Sequence, residues 1–116
     1  MSNDRSPEEV IRGFYAIFND ETPELFEEYV AADYADYGHQ APGSPPQGVG
    51  PEGARANYDE AAQAFGKVQF NIDAQVTSGD TVAVAWSGRA GDQTFHALSI
   101  YRVADGKLKE TRNVLY

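Results

Sequence analysis

The last stretch of the chain, Thr94 to Tyr116, limits what it can fold into more than any other segment. Two β-rich runs, Thr-Phe-His-Ala-Leu-Ser-Ile-Tyr-Arg-Val and Lys-Leu-Lys-Glu-Thr-Arg-Asn-Val-Leu-Tyr, flank Ala104-Asp105-Gly106. Strand-forming runs on either side of Asp-Gly predict a hairpin. Gly106 adopts positive φ at no steric cost, and Asp105 favours the turn before it. His96 and Glu110 are the side chains here that need a reason to sit in a strand. A two-residue Asp105-Gly106 turn pairs Ala104 with Lys107, which puts His96 on one face with Asn113. A three-residue Ala104-Asp105-Gly106 loop with a glycine bulge pairs Val103 with Lys107. His96, Leu98 and Ile100 then share a face with Leu108, Glu110, Arg112 and Val114. The bulged form is the register expected, because it gathers Lys107, Lys109, Thr111 and Asn113 on the opposite face.

Upstream, the pattern is helical. Ser6-Pro7-Glu8-Glu9 is a capping box with proline at the first helical position. Val10, Ile11, Phe14, Tyr15 and Phe18 recur at helical spacing until Asn19-Asp20-Glu21 ends the run. Thr22-Pro23 repeats the device for a second helix, with Leu25, Phe26, Tyr29 and Val30 as its buried side. Ala31 to Tyr37 reads as a short helix end and then an extended segment. Gly38 to Gly50 is irregular, with Pro42, Pro45 and Pro46, and is expected to form a flap or rim. Pro51 begins a third helix with Ala54, Tyr58, Ala61, Ala62 and Phe65 as its stripe, and Gly66 stops it.

From Lys67 the period changes to two. Val68, Phe70 and Ile72 alternate, and Gln75-Val76-Thr77 continues past a bend. Ser78-Gly79-Asp80 is a turn, Val82, Val84 and Trp86 alternate, and Gly88 to Asp92 is a tight connection. Helices first and an antiparallel meander after them is an α+β order. A curved sheet around the helices makes a cone with a pocket inside. The 116 residues suffice for one domain with one core, spanning 1–116.

Charge and composition remove several function classes. A formal net charge of −9 repels phosphate backbones, so no nucleic-acid partner is expected. No run of about 18 apolar residues is present, and no membrane span is expected. The N-terminus lacks the basic and then apolar layout of a signal peptide, so the expected location is cytoplasmic. With no cysteine, thiolate chemistry is excluded. No Gly-rich phosphate loop, Ser-His-Asp order or metal-ligand motif appears.

Four segments carry a family resemblance: Val10-Ile11-Arg12-Gly13-Phe14-Tyr15, Gly50-Pro51-Glu52-Gly53, Gly79-Asp80-Thr81-Val82-Ala83-Val84-Ala85-Trp86 and Ser99 to Leu108. Together, and in this order over nearly the whole chain, they resemble the SnoaL-like polyketide cyclase family of the nuclear transport factor 2-like superfamily. The resemblance implies a cone-shaped α+β fold with N-terminal helices packed on a curved antiparallel sheet. It implies a cofactor-independent cyclase or isomerase, with no metal and no organic cofactor, acting on a small hydrophobic or aromatic molecule. It also implies a homodimer, since a broad antiparallel sheet offers an outer face to bury. An acid on the last strand acts as general acid/base in such cyclases, assisted by a histidine. Glu110 and His96 best match those roles, while Asn113 stands where many relatives carry an aspartate.

The residues themselves leave each role open. Glu110 is either a general acid/base or, with Arg112 two residues on, half of a structural ion pair. His96 is either a hydrogen-bonded core residue or a pocket-facing proton shuttle. Tyr15 is either core packing or a hydrogen-bond donor to a substrate oxygen, as a tyrosine is in ketosteroid isomerase. Tyr34, Tyr37, Tyr58 and Trp86 either line a pocket for a flat ligand or fill the core. His39 is a candidate rim ligand, and Asn113 a candidate substrate contact.

Overall fold

The first helix forms where its capping signal stands. In the computed structural model, which describes residues 5–38 and 43–115, α1 spans Pro7–Asp20. The Ser6 hydroxyl accepts the Glu9 N–H at 3.2 Å, and the Glu9 carboxylate accepts the Ser6 N–H at 3.0 Å. Val10, Ile11, Phe14, Tyr15 and Ile17 form its buried face.

The second helix is shorter than its sequence suggested. Pro23–Leu25 is a 3₁₀ turn and α2 is a single turn, Phe26–Tyr29. Leu25 is exposed, and Val30 already begins strand β1, Val30–Asp36, so the expected helix end after Ala31 is strand throughout. Long-range pairing explains the difference. β1 lies parallel to the last strand, and in that ladder Val30 and Tyr34 are buried. The 38–50 stretch holds a short strand, β2 (Gly48–Val49), which pairs antiparallel with β1. Helix α3 (Gly50–Phe65) buries only Gly50 and Ala54, and Phe65 is exposed. Its N-terminal half packs against β1 and β2, while Ala62 and Phe65 near its end are exposed.

Strands β3 (Gln69–Ser78), β4 (Thr81–Ala90), β5 (Gln93–Ala104) and β6 (Lys107–Leu115) form the meander. The bend in β3 is a register shift at Asp73, between Ile72 and Ala74. β4 runs through Gly88 to Ala90, so only Gly91-Asp92 connects it to β5. The six strands lie in the order β2-β1-β6-β5-β4-β3, antiparallel except for β1 beside β6. The helices cover one face of this open sheet. Phe14, Phe18, Phe26, Tyr58 and Phe70 interlock in edge-on and tilted pairs beneath it, with ring centroids 5.3–6.0 Å apart.

The terminal hairpin departs from the expected register. Asp105 and Gly106 both have positive φ, 55° and 72°, and Ala104 pairs with Lys107. The turn is therefore a two-residue one, whose twist matches that of its strands. A bulge does exist, further along. Val103 pairs with Leu108 and Arg102 with Glu110, leaving Lys109 as the extra residue. Leu108 and Thr111 consequently both face inward, three positions apart, which a regular strand forbids. Lys109 is held there by a bidentate contact to Asp33 on β1, at 2.6 and 2.8 Å.

Candidate functional site

Between α1, α3 and the inner face of the sheet lies a cavity of about 310 Å³. It persists because α1 fills only one end with aromatic side chains, while α3 offers the short Ala61 at the other. Phe14, Phe18, Val68, Phe70 and Trp86 supply apolar walls, and Asn57, Phe65 and Phe95 also line it. Phe65 and Phe95 meet at 5.5 Å. The Phe95 ring lies over its cross-strand partner Gly88, where a Cβ would approach it to 2.4 Å. Glycine at that position makes room for an aromatic wall.

The polar groups gather where β1, β5 and β6 run side by side. Asp36 is 3% exposed, and among the described residues it is the one carboxyl that lines the cavity. Its Oδ1 accepts the Gly38 N–H at 2.9 Å, and its Oδ2 lies 3.4 Å from the Gln47 side-chain amide. Tyr15 and Tyr101 share a hydroxyl–hydroxyl hydrogen bond of 2.7 Å. Tyr34 donates to Thr111 Oγ1 at 2.8 Å. Burial, reinforced by the neighbouring Tyr101, pushes the Tyr15 phenol far above its ordinary value. Burial raises Tyr34 as well, helped by the Asp36 carboxylate, and pushes Tyr101 up to about 12. All three phenols are therefore neutral at pH 7 and keep a proton to donate. A carboxylate beside neutral donors in an apolar chamber suits proton transfer next to a developing oxyanion. Among the described residues, no three His, Cys, Asp or Glu side chains stand together as metal ligands would.

The sequence candidates divide between the two faces of the sheet. Tyr15, Trp86 and Asn113 line the cavity, and so does Tyr34. Tyr58 instead packs against Phe18 and Phe26 and borders a small adjoining hollow. Tyr37 lies beneath the Arg112 guanidinium, 4.0 Å from its ring centroid, on the outer side. His39 lies outside the described residues.

Glu110 and His96 do not converge in the cavity. They share a face, as the expected register required, but it is the convex one. Odd positions of β5 from Ala97 to Val103 are buried, and the even positions with His96 are exposed. Glu110 stands opposite Arg102 and bridges Arg102 and Arg112, at 3.4 and 3.3 Å. It is the structural ion pair of the two alternatives. Six residues of strand, about 20 Å, separate His96 from Glu110's partner Arg102. The cause is the bulge at Lys109, which turns Thr111 and Asn113 inward and Glu110 out.

Sequence reasoning passed over Asp36, Ser99, Tyr101 and Thr111. One signal was available: Tyr34-x-Asp36 keeps strand spacing, so an inward tyrosine carries the aspartate inward with it.

The comparisons agree with this architecture. IdmH of Streptomyces antibioticus, a candidate polyketide cyclase, superposes with a TM-score of 0.77 at 21% identity, over 96% of this chain and 92% of its own. A loop-truncated IdmH variant gives 0.80 at 23% identity, over 95% and 92%. A candidate ketosteroid isomerase from Kribbella flavida gives 0.75 at 18% identity, over 92% and 75%. Other neighbours at similar scores carry the nuclear transport factor 2-like name, and the fold is of that type. No curated protein sequence matches the chain. The SnoaL-like domain matches residues 11–111, the span from the inward face of α1 to the inward-turned Thr111 of β6, and the chain belongs to the SnoaL-like domain family.

Proposed function

We propose that the chain is a cofactor-independent enzyme of the cyclase or isomerase type, moving a proton on a small hydrophobic or aromatic carbonyl compound. One observation carries this reading: a buried carboxyl, Asp36, lines an aromatic cavity whose other polar groups are neutral hydroxyls and asparagine amides. Asp36 takes the general acid/base role that the family resemblance implied for Glu110, as the base that removes a proton next to the carbonyl. Tyr15, backed by Tyr101, donates to the oxygen on which charge then develops. Trp86 and Phe70, whose ring centroids are 5.3 Å apart, supply flat apolar contact. The IdmH and Kribbella flavida likenesses are to a candidate cyclase and a candidate isomerase, which accords with this chemistry.

Exchange of the α-protons of 2-tetralone for deuterium, followed by NMR in D₂O, tests the reading without a known substrate. The expected result is enzyme-dependent exchange that Asp36→Asn slows about 100-fold or more and Glu110→Gln changes less than twofold. Exchange no faster than in buffer, or unaffected by Asp36→Asn, overturns it.

A second reading, a ligand-binding module of the same fold, draws support from the pairing of the cavity's polar groups with one another. Tyr15 bonds Tyr101, Tyr34 bonds Thr111, and Asp36 accepts the Gly38 N–H. Under that reading an aromatic ketone binds and no exchange follows.

The same proposal includes a homodimer formed through the convex face. Leu98 and Ile100 are 39% and 46% exposed on adjacent even positions of β5, a pair that a second copy would cover. Light scattering on a size-exclusion eluate is expected to give twice the chain mass, and Ile100→Lys a monomer. A monomeric wild type at micromolar concentration removes the dimer.

A further inference from the structure

The cavity is not equally sealed along its length. Its deep end, at Tyr15, Tyr34, Asp36 and Tyr101, is buried. Among the described lining residues, only Asn57 and Phe65, both on α3, are exposed. The mouth therefore lies along α3 from Asn57 onward, opposite the start of β5. Two aromatic rings meet there, Phe65 and Phe95, tilted against each other with centroids 5.5 Å apart. Their supports differ. Phe95 is half-buried on β5, and its ring covers the backbone of its cross-strand partner Gly88. Three of its ring atoms lie within 3.2 Å of where a Cβ on that glycine would stand, so the ring fills the space a side chain would take. Phe65 is the last residue of α3 and is 52% exposed, and Ala62, Gln63 and Ala64 before it are exposed too. Gly66 behind it has a φ of 71° and open space where its Cβ would lie. One ring is thus seated on a strand, and the other ends a helix whose last turn faces solvent.

We propose that Phe65 is the moving leaf of an aromatic door that closes the cavity against Phe95, with Gly88 as the seat of the fixed leaf, so that these three residues screen entering ligands by width. The proposal rests on the cavity being a ligand site, as in the preceding reading, and does not require turnover. Rotation of an exposed side chain takes picoseconds to nanoseconds, so the door limits passage through the fraction of time it stands open, not through a slow step. A narrow ligand passes a partly open door that stops a broad one. A Cβ at Gly88 would lift the Phe95 ring off the sheet toward Phe65 and narrow the mouth.

The test is stopped-flow fluorescence with N-phenyl-1-naphthylamine, an uncharged probe that brightens in apolar surroundings, and with the narrower 2-naphthol. A door hinders the way in and the way out alike, so removing it raises kon and koff together and leaves Kd in place. Phe65→Ala is expected to raise both rates for N-phenyl-1-naphthylamine about fivefold, with Kd within about twofold of wild type, and to speed 2-naphthol less than half as much. Phe95→Ala is expected to do the same, and the double variant to be no faster than either single one, because one missing leaf already opens the door. Phe65→Tyr keeps the ring and is expected to hold both rates within about twofold of wild type, while Gly88→Ala slows both. A Phe65→Ala protein in which koff alone rises overturns the proposal, since the ring is then a wall in contact with the ligand. Unchanged rates overturn it as well, and so does equal acceleration of the two probes, which removes the screening by width. If neither probe binds the wild type, the ligand-site reading fails and the proposal with it. Binding or proton exchange whose rates are indifferent to Phe65 and Phe95 sinks the proposal alone.

Discussion

Strands β5 and β6 present two chemistries from one stretch of backbone. On the concave face, Ser99, Tyr101 and Thr111 are closed off from water, Asn113 is half-buried, and all four are bonded to one another or to neighbouring side chains. On the convex face, Ile100, Arg102, Glu110 and Arg112 stand in or near solvent, and the charges pair loosely at 3.3–3.4 Å. A surface ion pair of that kind contributes about 0–1 kcal/mol, whereas a buried hydroxyl deprived of its partner costs about 1–3 kcal/mol. The same residue types would read as equally functional on a list. Their side of the sheet decides which of them matter energetically and chemically.

The largest expected effect comes from moving residues between the faces. Deleting Arg112 turns Asn113 outward and leaves Ser99 opposite an apolar side chain. It is expected to cost roughly 3 kcal/mol or more in urea unfolding. Deleting Lys109 removes the bulge's extra residue while keeping Leu108, Thr111 and Asn113 inward, and is expected to cost less than half as much. Equal costs would show that the bulge does not set the faces.

Alkaline pH separates the faces next. Burial raises Tyr15, Tyr34 and Tyr101 above the ordinary phenol value of 10.0. A group whose folded pKa is raised contributes stability that is fully present below its unfolded pKa and lost as pH rises through the folded value. For Tyr101 the window therefore runs from about pH 10 to about pH 12. Unfolding midpoints are expected to fall across that window, with a jump in tyrosinate absorbance at unfolding. Gradual titration of all seven tyrosines without loss of structure would contradict the buried network.

Single side chains give smaller contrasts. Tyr101→Phe leaves the Tyr15 hydroxyl without its partner and is expected to cost about 1–2 kcal/mol, roughly 5–10 °C in Tm. Glu110→Gln, on the other face, is expected to stay within about 0.5 kcal/mol. A Glu110 effect larger than that of Tyr101 would reverse the comparison.

Much of the fold was legible in the chain because its signals are local. The Ser6–Glu9 capping box, the Val10–Phe18 helical face, the alternation of Val82, Val84 and Trp86, and the Asp105-Gly106 turn each act within a few residues. The site was less legible. Tyr15, Trp86 and Asn113 line the cavity, whereas Glu110 does not, and the carboxyl that lines it is on another strand. Asp36 lies on β1, which reaches the site only through its parallel pairing with β6, more than 70 residues away in sequence. His96 and Glu110 were rightly put on one face, yet nothing local says whether that face is concave.

The sequence by itself determined the first and third helices, the four meander strands, their order, the turn residues and the period-two alternation, since these follow from backbone sterics and local hydrogen bonding. Only the tertiary structure decided which side of the terminal hairpin became the inside. Helix α1 fills the concavity with Phe14 and Tyr15, and that burial draws Tyr101, Thr111 and Asn113 inward. One extra residue, Lys109, absorbs the mismatch that would otherwise have carried Glu110 inward and turned Thr111 and Asn113 out. A strand has two faces of equal backbone energy, and long-range burial chooses between them.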